Sequence, residues 1–137
     1  GGEADEDGPA VPLTAGARLA RSPRFSAPRR DGAPAQLAFL RNTAGFDTHG
    51  GAMALCTLDW DAYHAADGGA EAVESLTREL VGVVDAPSSP GGFPGLFLNQ
   101  LPPDCFTRDN RHVLLTTQWG SVGRVARVSV ADGTLRP

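Results

Sequence analysis

Two stretches of the sequence, one in each half, follow the same plan. Each begins with an aromatic and a hydroxyl residue: Phe25-Ser26 in RFSAPRRDGAPAQLAFL and Phe106-Thr107 in CFTRDNRHVLLTT. A polar turn and an apolar run follow in both. A second strand-like run, AMALCTLDW or RVARVSVADG, comes next and ends in an acidic turn. A plan that occurs twice indicates a repeat, and meandering antiparallel units of this kind are typical of propeller blades.

Short apolar or β-branched runs bounded by turn residues predict the strands. They are Gln36–Leu40, Ala52–Trp60, Leu80–Pro87, Leu96–Leu101, Val113–Trp119 and Arg124–Val130, and Val11–Leu13 could end another strand. Asp132-Gly133 is a favoured turn pair. The alanine- and glutamate-rich stretch AYHAADGGAEAVESLTREL is either helical or a long loop that holds one helical turn.

We therefore predict an all-β fold of antiparallel four-stranded propeller blades, with about two consecutive blades of an incomplete propeller. Residues 1–10 are expected to form an acidic exposed loop. Residues 11–90 would hold the end of one blade plus a full blade with the Ala/Glu-rich insert, and residues 91–137 most of the next. The two copies are farther apart than one blade of about 40–50 residues, and the insert and the loop SSPGGFPG account for the excess.

Composition excludes several classes of function. The net charge is −4, and the basic residues are scattered in ones and twos. This pattern argues against a nucleic-acid or membrane surface. No apolar run approaches the roughly 18 residues of a membrane span. The acidic N-terminus GGEADEDGPA is not a signal peptide, and because it lacks Met we expect the chain to be part of a longer protein.

Cys56 and Cys105 are far apart in the sequence and have apolar or aromatic neighbours. A secreted domain this rich in loops would more often carry several cysteine pairs. We therefore predict two reduced, buried cysteines in a cytoplasmic protein.

The string HGGA, His49 to Ala52, resembles a turn that contributes to the oxyanion hole of some hydrolases. We favour the other interpretation, a glycine turn between two antiparallel strands that needs positive φ. An oxyanion hole is useful only beside a nucleophile. Ser121 does not supply one, because G-x-S-x-G would need glycine at position 119, where Trp119 stands. We interpret Ser121 as a turn residue.

The remaining polar candidates do not form a recognisable site in the sequence. His49, His64 and His112 are not at metal-ligand spacing with cysteines or carboxylates, and the glycine-rich stretches lack the Gly-Lys-Ser/Thr of a phosphate loop. The carboxylates that could be paired on paper are interpreted as turn or capping residues: Asp59, Asp61, Asp104 and Asp109. Trp60 and Trp119, each at a strand end, are expected to pack between sheets, although either could line a central channel.

The ordered runs LTAGARLARSPRFSAPRRDGAPAQLAFL, ALCTLDW, LVGVVDAP, GLFLNQLPPDCFTRDNRHVLLTTQW and VARVSVADGTL resemble the acylaminoacyl-peptidases of the prolyl oligopeptidase family. The most specific parts are Cys56 with Asp59-Trp60, and Leu101-Pro102 with Cys105-Phe106-Thr107. The resemblance lies in the non-catalytic β-propeller and covers most of residues 11–137. The loops at 27–35 and 61–79 look expanded, and the acidic loop at 1–10 has no obvious counterpart.

The resemblance implies a serine peptidase that releases N-acylated amino acids from short blocked peptides, with a propeller that limits substrate size. Its partners would be a C-terminal α/β-hydrolase domain, short N-acylated peptides and other copies of the full-length protein. The triad of that family lies in the hydrolase domain, so no catalytic, cofactor or metal residue is assigned here and no cofactor is expected. The present chain is predicted to be inactive alone.

Two alternatives remain open at this point. The chain could be a non-catalytic propeller-type interaction module. It could also be a small free-standing β-sandwich, against which the repeated plan argues. Because two blades leave strand edges unpaired, we expect the isolated chain to be marginally stable or to aggregate.

Overall fold

The described residues form two antiparallel sheets. The computed structural model describes residues 12–14, 19–27, 35–42 and 52–137. The first sheet has four strands in chain order: β1 (Leu19–Phe25), β2 (Gln36–Asn42), β3 (Ala54–Asp59) and β4 (Thr77–Val81). Two short helices connect β3 to β4: α1 (Trp60–Ala65) and α2 (Ala70–Leu76). The second sheet has three strands: β5 (His112–Trp119), β6 (Val122–Ser129) and β7 (Leu135–Arg136). The all-β prediction is confirmed.

One cluster of buried side chains joins the two sheets. The first sheet contributes Ala38, Leu40, Met53, Leu55 and Val81, and the second contributes Val113, Leu115, Ala126 and Val128. All but Val81 are at most 1 % exposed. Full burial of one Leu or Val side chain stabilises a fold by about 1.5–3 kcal/mol. This cluster is therefore the main apolar contact between the two sheets.

A second cluster fills the other face of the first sheet. Leu37, Phe39, Cys56 and Leu58 pack there against Tyr63 of α1 and Val73 of α2. Strands β2 and β3 are thus buried on both faces, which explains why the runs QLAFL and ALCTL are apolar without strict alternation. The second sheet is different: buried and exposed residues alternate along β5 and over residues 125–128 of β6, because only one of its faces is covered.

The Ala/Glu-rich stretch forms the two short helices. The side chain of Asp59, at the end of β3, caps α1 by accepting a hydrogen bond from the backbone N–H of Ala62 at 2.9 Å. The predicted strand Leu80–Pro87 is mostly wrong, because β4 begins at Thr77 and ends at Val81, and residues 82–87 are not in a strand. Pro12–Thr14, at the end of the Val11–Leu13 run, is not a strand. No described helix is long and apolar enough to cross a membrane.

The predicted strand Leu96–Leu101 is wrong. Within this run only Leu96 makes a bridge, to Met53, and residues 97–105 run irregularly along the edge of β5 as far as Phe106, which bridges to Val113. Phe97 still accepts a hydrogen bond from the backbone of Gln118 at 2.9 Å. Gly95 has φ = 100° and Pro102-Pro103 follows, so the chain cannot hold a continuous ladder here. Several carbonyls of this segment are left without a strand partner.

Candidate functional site

The repeat seen in the sequence is a repeat of hydrogen bonds. Ser26 and Gln36 exchange two bonds, in which Ser26 N–H donates to Gln36 O at 2.8 Å and Gln36 N–H donates to Ser26 Oγ at 2.9 Å. Thr107 and His112 do the same at 2.9 and 3.1 Å. The hydroxyl residue therefore closes each polar turn onto the next strand. This is the physical reason for the order aromatic, hydroxyl, turn, strand.

A third hydrogen bond, between backbone groups, also occurs in both copies of the repeat. Trp60 N–H donates to Ala35 O, and Val130 N–H donates to Arg111 O, each at 2.9 Å. We call β1–β4 with the two helices the first unit. The second unit is residues 96–106 with β5–β7. The end of the sheets where these bonds lie is the turn edge. Residues 60–76 connect β3 to β4 in the first unit, and residues 130–134 make the equivalent connection from β6 to β7 in the second unit. The Ala/Glu-rich insert is therefore an enlarged connection at the turn edge.

The turn edge carries shallow depressions around His112. They are lined by Thr107, Arg108, Asp109, Arg127, Ser129, Asp132, Thr134 and Arg136, and by Arg78 and Arg111 on the other side of His112. The lining is rich in arginine. Chemically, it can bind carbonyl or carboxylate oxygens.

The two aspartates of these depressions are occupied by turn hydrogen bonds. The Thr107 hydroxyl donates to Asp109 at 2.6 Å and lowers the pKa of that carboxyl, with a further contribution from Arg111 N–H. The backbone N–H of Thr134 lowers the pKa of Asp132 in the same way. A carboxylate held ionised is a poor general acid or base near neutral pH. Both residues close turns, as the sequence indicates, and neither is arranged for catalysis.

The other candidates lie apart from each other. Ser121 is in the exposed turn between β5 and β6. His64 packs edge-on to Trp60, at 4.7 Å between ring centroids. Among the described residues, no three His, Cys, Asp or Glu side chains lie close enough to hold a metal ion. His49 and most of the HGGA string lie outside the described residues.

Neither tryptophan packs between the two sheets. Trp60 contacts Phe25 edge-on and stacks on Tyr63. It therefore lies on the face of the first sheet that the two helices cover. Trp119 donates its indole N–H to Gly91 O at 3.1 Å, and the Arg124 guanidinium lies 4.9 Å above its ring. Trp119 therefore fastens the loop SSPGGFPG to the end of β5.

Cys56 and Cys105 are both free and fully buried, as predicted from their neighbours. Burial raises the pKa of each thiol to about 11. Neither thiol is a reactive nucleophile at neutral pH.

The polar contacts between the units were not predicted from the sequence. Arg24 of β1 donates to Leu101 O at 2.8 Å and to Pro102 O at 3.0 Å, and Arg21 donates to Leu98 O at 3.1 Å. These are carbonyls of the irregular segment, which lack strand partners. The available signal was composition, because all twelve basic residues are arginine. Arginine satisfies several carbonyls with one fork of donors, which lysine cannot do.

Two more contacts join the units at the turn edge. Arg78 of β4 donates to Val130 O at 3.3 Å and to Ala131 O at 2.6 Å. Asn110, with φ = 56° and only 2 % exposed, donates through Nδ2 to Ala27 O at 2.7 Å. Asparagine is one of the few residues that adopt this backbone conformation readily. The best-defined site of the chain is therefore this interface between units.

The family model described as "Acylamino-acid-releasing enzyme, N-terminal domain" matches residues 2–136. The match begins at residue 2, so it takes in most of the acidic run that the sequence resemblance left without a counterpart. No curated protein sequence matches the chain significantly.

Proposed function

This chain belongs to the family of acylamino-acid-releasing enzymes through their N-terminal domain, and from this premise we propose that it forms part of a β-propeller over the active site. The family match over residues 2–136 carries the proposal. The repeated hydrogen bonds of the two units and their face-to-face packing support it, because stacked antiparallel units are the construction of a propeller.

We propose that the complete enzyme hydrolyses short N-acylated peptides and releases the N-terminal acyl-amino acid. Its hydrolase domain would supply the triad and be the principal partner of this chain. The propeller would exclude long peptides and water from the reaction. This chain would form part of the wall of the propeller, and it has no peptidase activity by itself.

The test compares two proteins on the same substrates. The complete product of the natural gene, whatever its length, and the isolated 137-residue chain are assayed with N-acetylalanyl p-nitroanilide and with N-acetylated peptides of increasing length. We expect release of acetyl-amino acid by the gene product only, with kcat/KM falling as the peptide lengthens. Release by the isolated chain would refute the assignment of a non-catalytic role. No release by the gene product would favour a non-catalytic interaction module.

We also propose a cytoplasmic location, association of full-length chains, and a boundary between the two blades near residue 90. The two free buried cysteines support the location, since reduced thiols are typical of that compartment. Cell fractionation and light scattering of the gene product test location and association.

Limited proteolysis tests the boundary: the first cuts should fall in the loop SSPGGFPG, between residues 88 and 95.

A further inference from the structure

One depression of the turn edge lies between the two units and has a volume of about 480 Å³. The first unit contributes Gln36 and Arg78, and the second unit contributes Asn110, Arg111 and His112. Among the described residues that line this depression, none is acidic. A space of this size is suited to a small organic molecule, and its charge favours an anion.

The two arginines of the depression are in different states. Arg78 is fixed, because its guanidinium donates to Val130 O at 3.3 Å and to Ala131 O at 2.6 Å. Arg111 is exposed, and within residues 12–14, 19–27, 35–42 and 52–137 its guanidinium has no hydrogen bond or ion pair. An unpaired guanidinium beside a fixed one is suited to a carboxylate, which it binds through paired N–H donors.

The acidic residue nearest in sequence does not occupy Arg111. The carboxylate of Asp109 accepts from the Thr107 hydroxyl at 2.6 Å and from the backbone N–H of Arg111 at 3.1 Å. It lines the depression on the other side of His112. Asp109 therefore weakens the positive potential near Arg111 without forming an ion pair with its side chain.

Asn110 adds a requirement for a hydrogen-bond donor. Its side chain is only 2 % exposed, and Nδ2 is used by the bond to Ala27 O at 2.7 Å. Its Oδ1 is buried and has no hydrogen-bond partner within the described part of the chain. A buried acceptor without a donor costs stability, and such a group usually has a water, ion or ligand as its partner. The lining thus combines cations for an anion with one acceptor that needs an N–H or O–H.

We propose that this depression binds a small organic carboxylate with an N–H group on the carbon next to it, the chemistry of an N-acylamino acid. Arg111 and Arg78 bind the carboxylate, and the N–H donates to Asn110 Oδ1. Because Oδ1 is covered, the ligand reaches it only when lining side chains move, and the unbonded side chain of Arg111 can do so.

The site rests on its lining residues alone, whereas the choice of N-acylamino acids among such carboxylates rests on the proposed function, since the complete enzyme would release them. Arg78 belongs to the first unit and Arg111 to the second. A ligand held by both stabilises the contact between the units in proportion to its concentration. The released product would in this way regulate the rigidity of the propeller.

Calorimetric titration of the complete gene product with N-acetyl-L-alanine tests the proposal. The protein is first treated with a serine-directed organophosphate, so that binding at the proposed catalytic serine does not contribute. We expect one site per chain, and we expect Arg111→Gln to raise the Kd by about tenfold or more, the usual effect of losing a charged hydrogen bond. The exposed Arg111 side chain makes no internal bond, so this variant should fold. Arg108→Gln removes the same charge from the depression on the other side of His112 and should leave the Kd nearly unchanged.

Two analogues test the two contacts separately. N-acetyl-L-alanine amide lacks the carboxylate, and O-acetyl-L-lactate has an ester oxygen in place of the N–H. We expect each to bind at least about tenfold more weakly than N-acetyl-L-alanine, because a buried group is then left without its partner. Equal binding of either analogue would overturn the proposal.

An absence of binding, or an equal loss in Arg111→Gln and Arg108→Gln, would also overturn the proposal. Binding of an unrelated peptide through its free C-terminus, without binding of N-acetyl-L-alanine, would do the same, because the peptide would then be the ligand. The peptidase assay on the same gene product keeps the two proposals apart. Binding that depends on Arg111 without peptide hydrolysis would leave the carboxylate site standing and remove the enzymatic role, and hydrolysis without such binding would do the reverse.

Discussion

At the scale of single residues, the hydroxyl of each polar turn is the clearest link between sequence and structure. Thr107 Oγ1 accepts from His112 N–H at 3.1 Å and donates to Asp109 at 2.6 Å. We expect Thr107→Val, which keeps the shape, to lower the free energy of unfolding by about 1 kcal/mol, the usual net value of a lost hydrogen bond. Urea unfolding measures it. Thr116→Val, on the exposed face of β5, is the control, and an equal loss there would contradict the role of the turn.

The buried thiols make stability depend on pH at the alkaline end. The pKa of each thiol is raised to about 11 in the folded chain, so between pH 9 and 11 the folded state keeps protons that the unfolded state has lost. The stability they contribute is complete below pH 9 and falls as the pH rises through 11. We expect the decline in urea midpoint over this range to be shallower in a Cys56→Ala/Cys105→Ala double variant, measured with reductant present. An unchanged slope would exclude the thiols as the cause.

At the scale of elements, Gly133 illustrates why the turn between β6 and β7 needs glycine. Its φ is 73°, and a Cβ there would overlap the carbonyl of Leu80 in β4. Gly120 has a similar φ of 63° but open space around it. We expect Gly120→Ala to cost about 1–2 kcal/mol from backbone strain alone. Gly133→Ala should cost about 1–3 kcal/mol more, because packed backbone must move. Equal losses in thermal or urea unfolding would show that the close approach carries no penalty.

The arginines of β1 hold the irregular segment in place of a strand ladder. We expect Arg24→Gln to lower the free energy of unfolding by about 1.5–3 kcal/mol, since it leaves the carbonyls of Leu101 and Pro102 without a charged donor. Hydrogen exchange should also speed up at the backbone N–H of Leu114, which donates to Cys105 O. Arg108→Gln, exposed in the turn edge, is the matched control. An equal loss of stability in both variants would mean that Arg24 acts only through charge.

The sequence predicted strands well where the pattern depends on the chain itself, and poorly where it depends on the neighbouring unit. The alternation of residues 125–128 in β6 and the Asp132-Gly133 turn are local properties, and both are found. The run LFLNQL has the composition of a strand, yet its fate depends on the Pro102-Pro103 pair and on Arg21 and Arg24, some 77 residues away. Sequence patterns do not reveal such distant acceptors. The interface between units therefore escaped prediction.

At the scale of the whole molecule, the open face and the unpaired edges of the second sheet limit stability. We expect the isolated chain to unfold with a midpoint below about 50 °C or to aggregate on heating, since small repeat arrays bury too little core. Differential scanning calorimetry and light scattering on the isolated chain measure both. A cooperative, reversible transition well above that temperature would show that two units are self-sufficient.

The helices between β3 and β4 have a consequence for the order of folding during synthesis. They cover one face of the first sheet with residues that precede Val81, so β1–β4 and this cover are all synthesised before β5. The nascent chain then exposes one apolar sheet face, and the next residues to emerge are those that cover it. Growth of the array is vectorial: each finished unit is the template for the following one, and the helical cover leaves the earlier side closed to any other nascent chain.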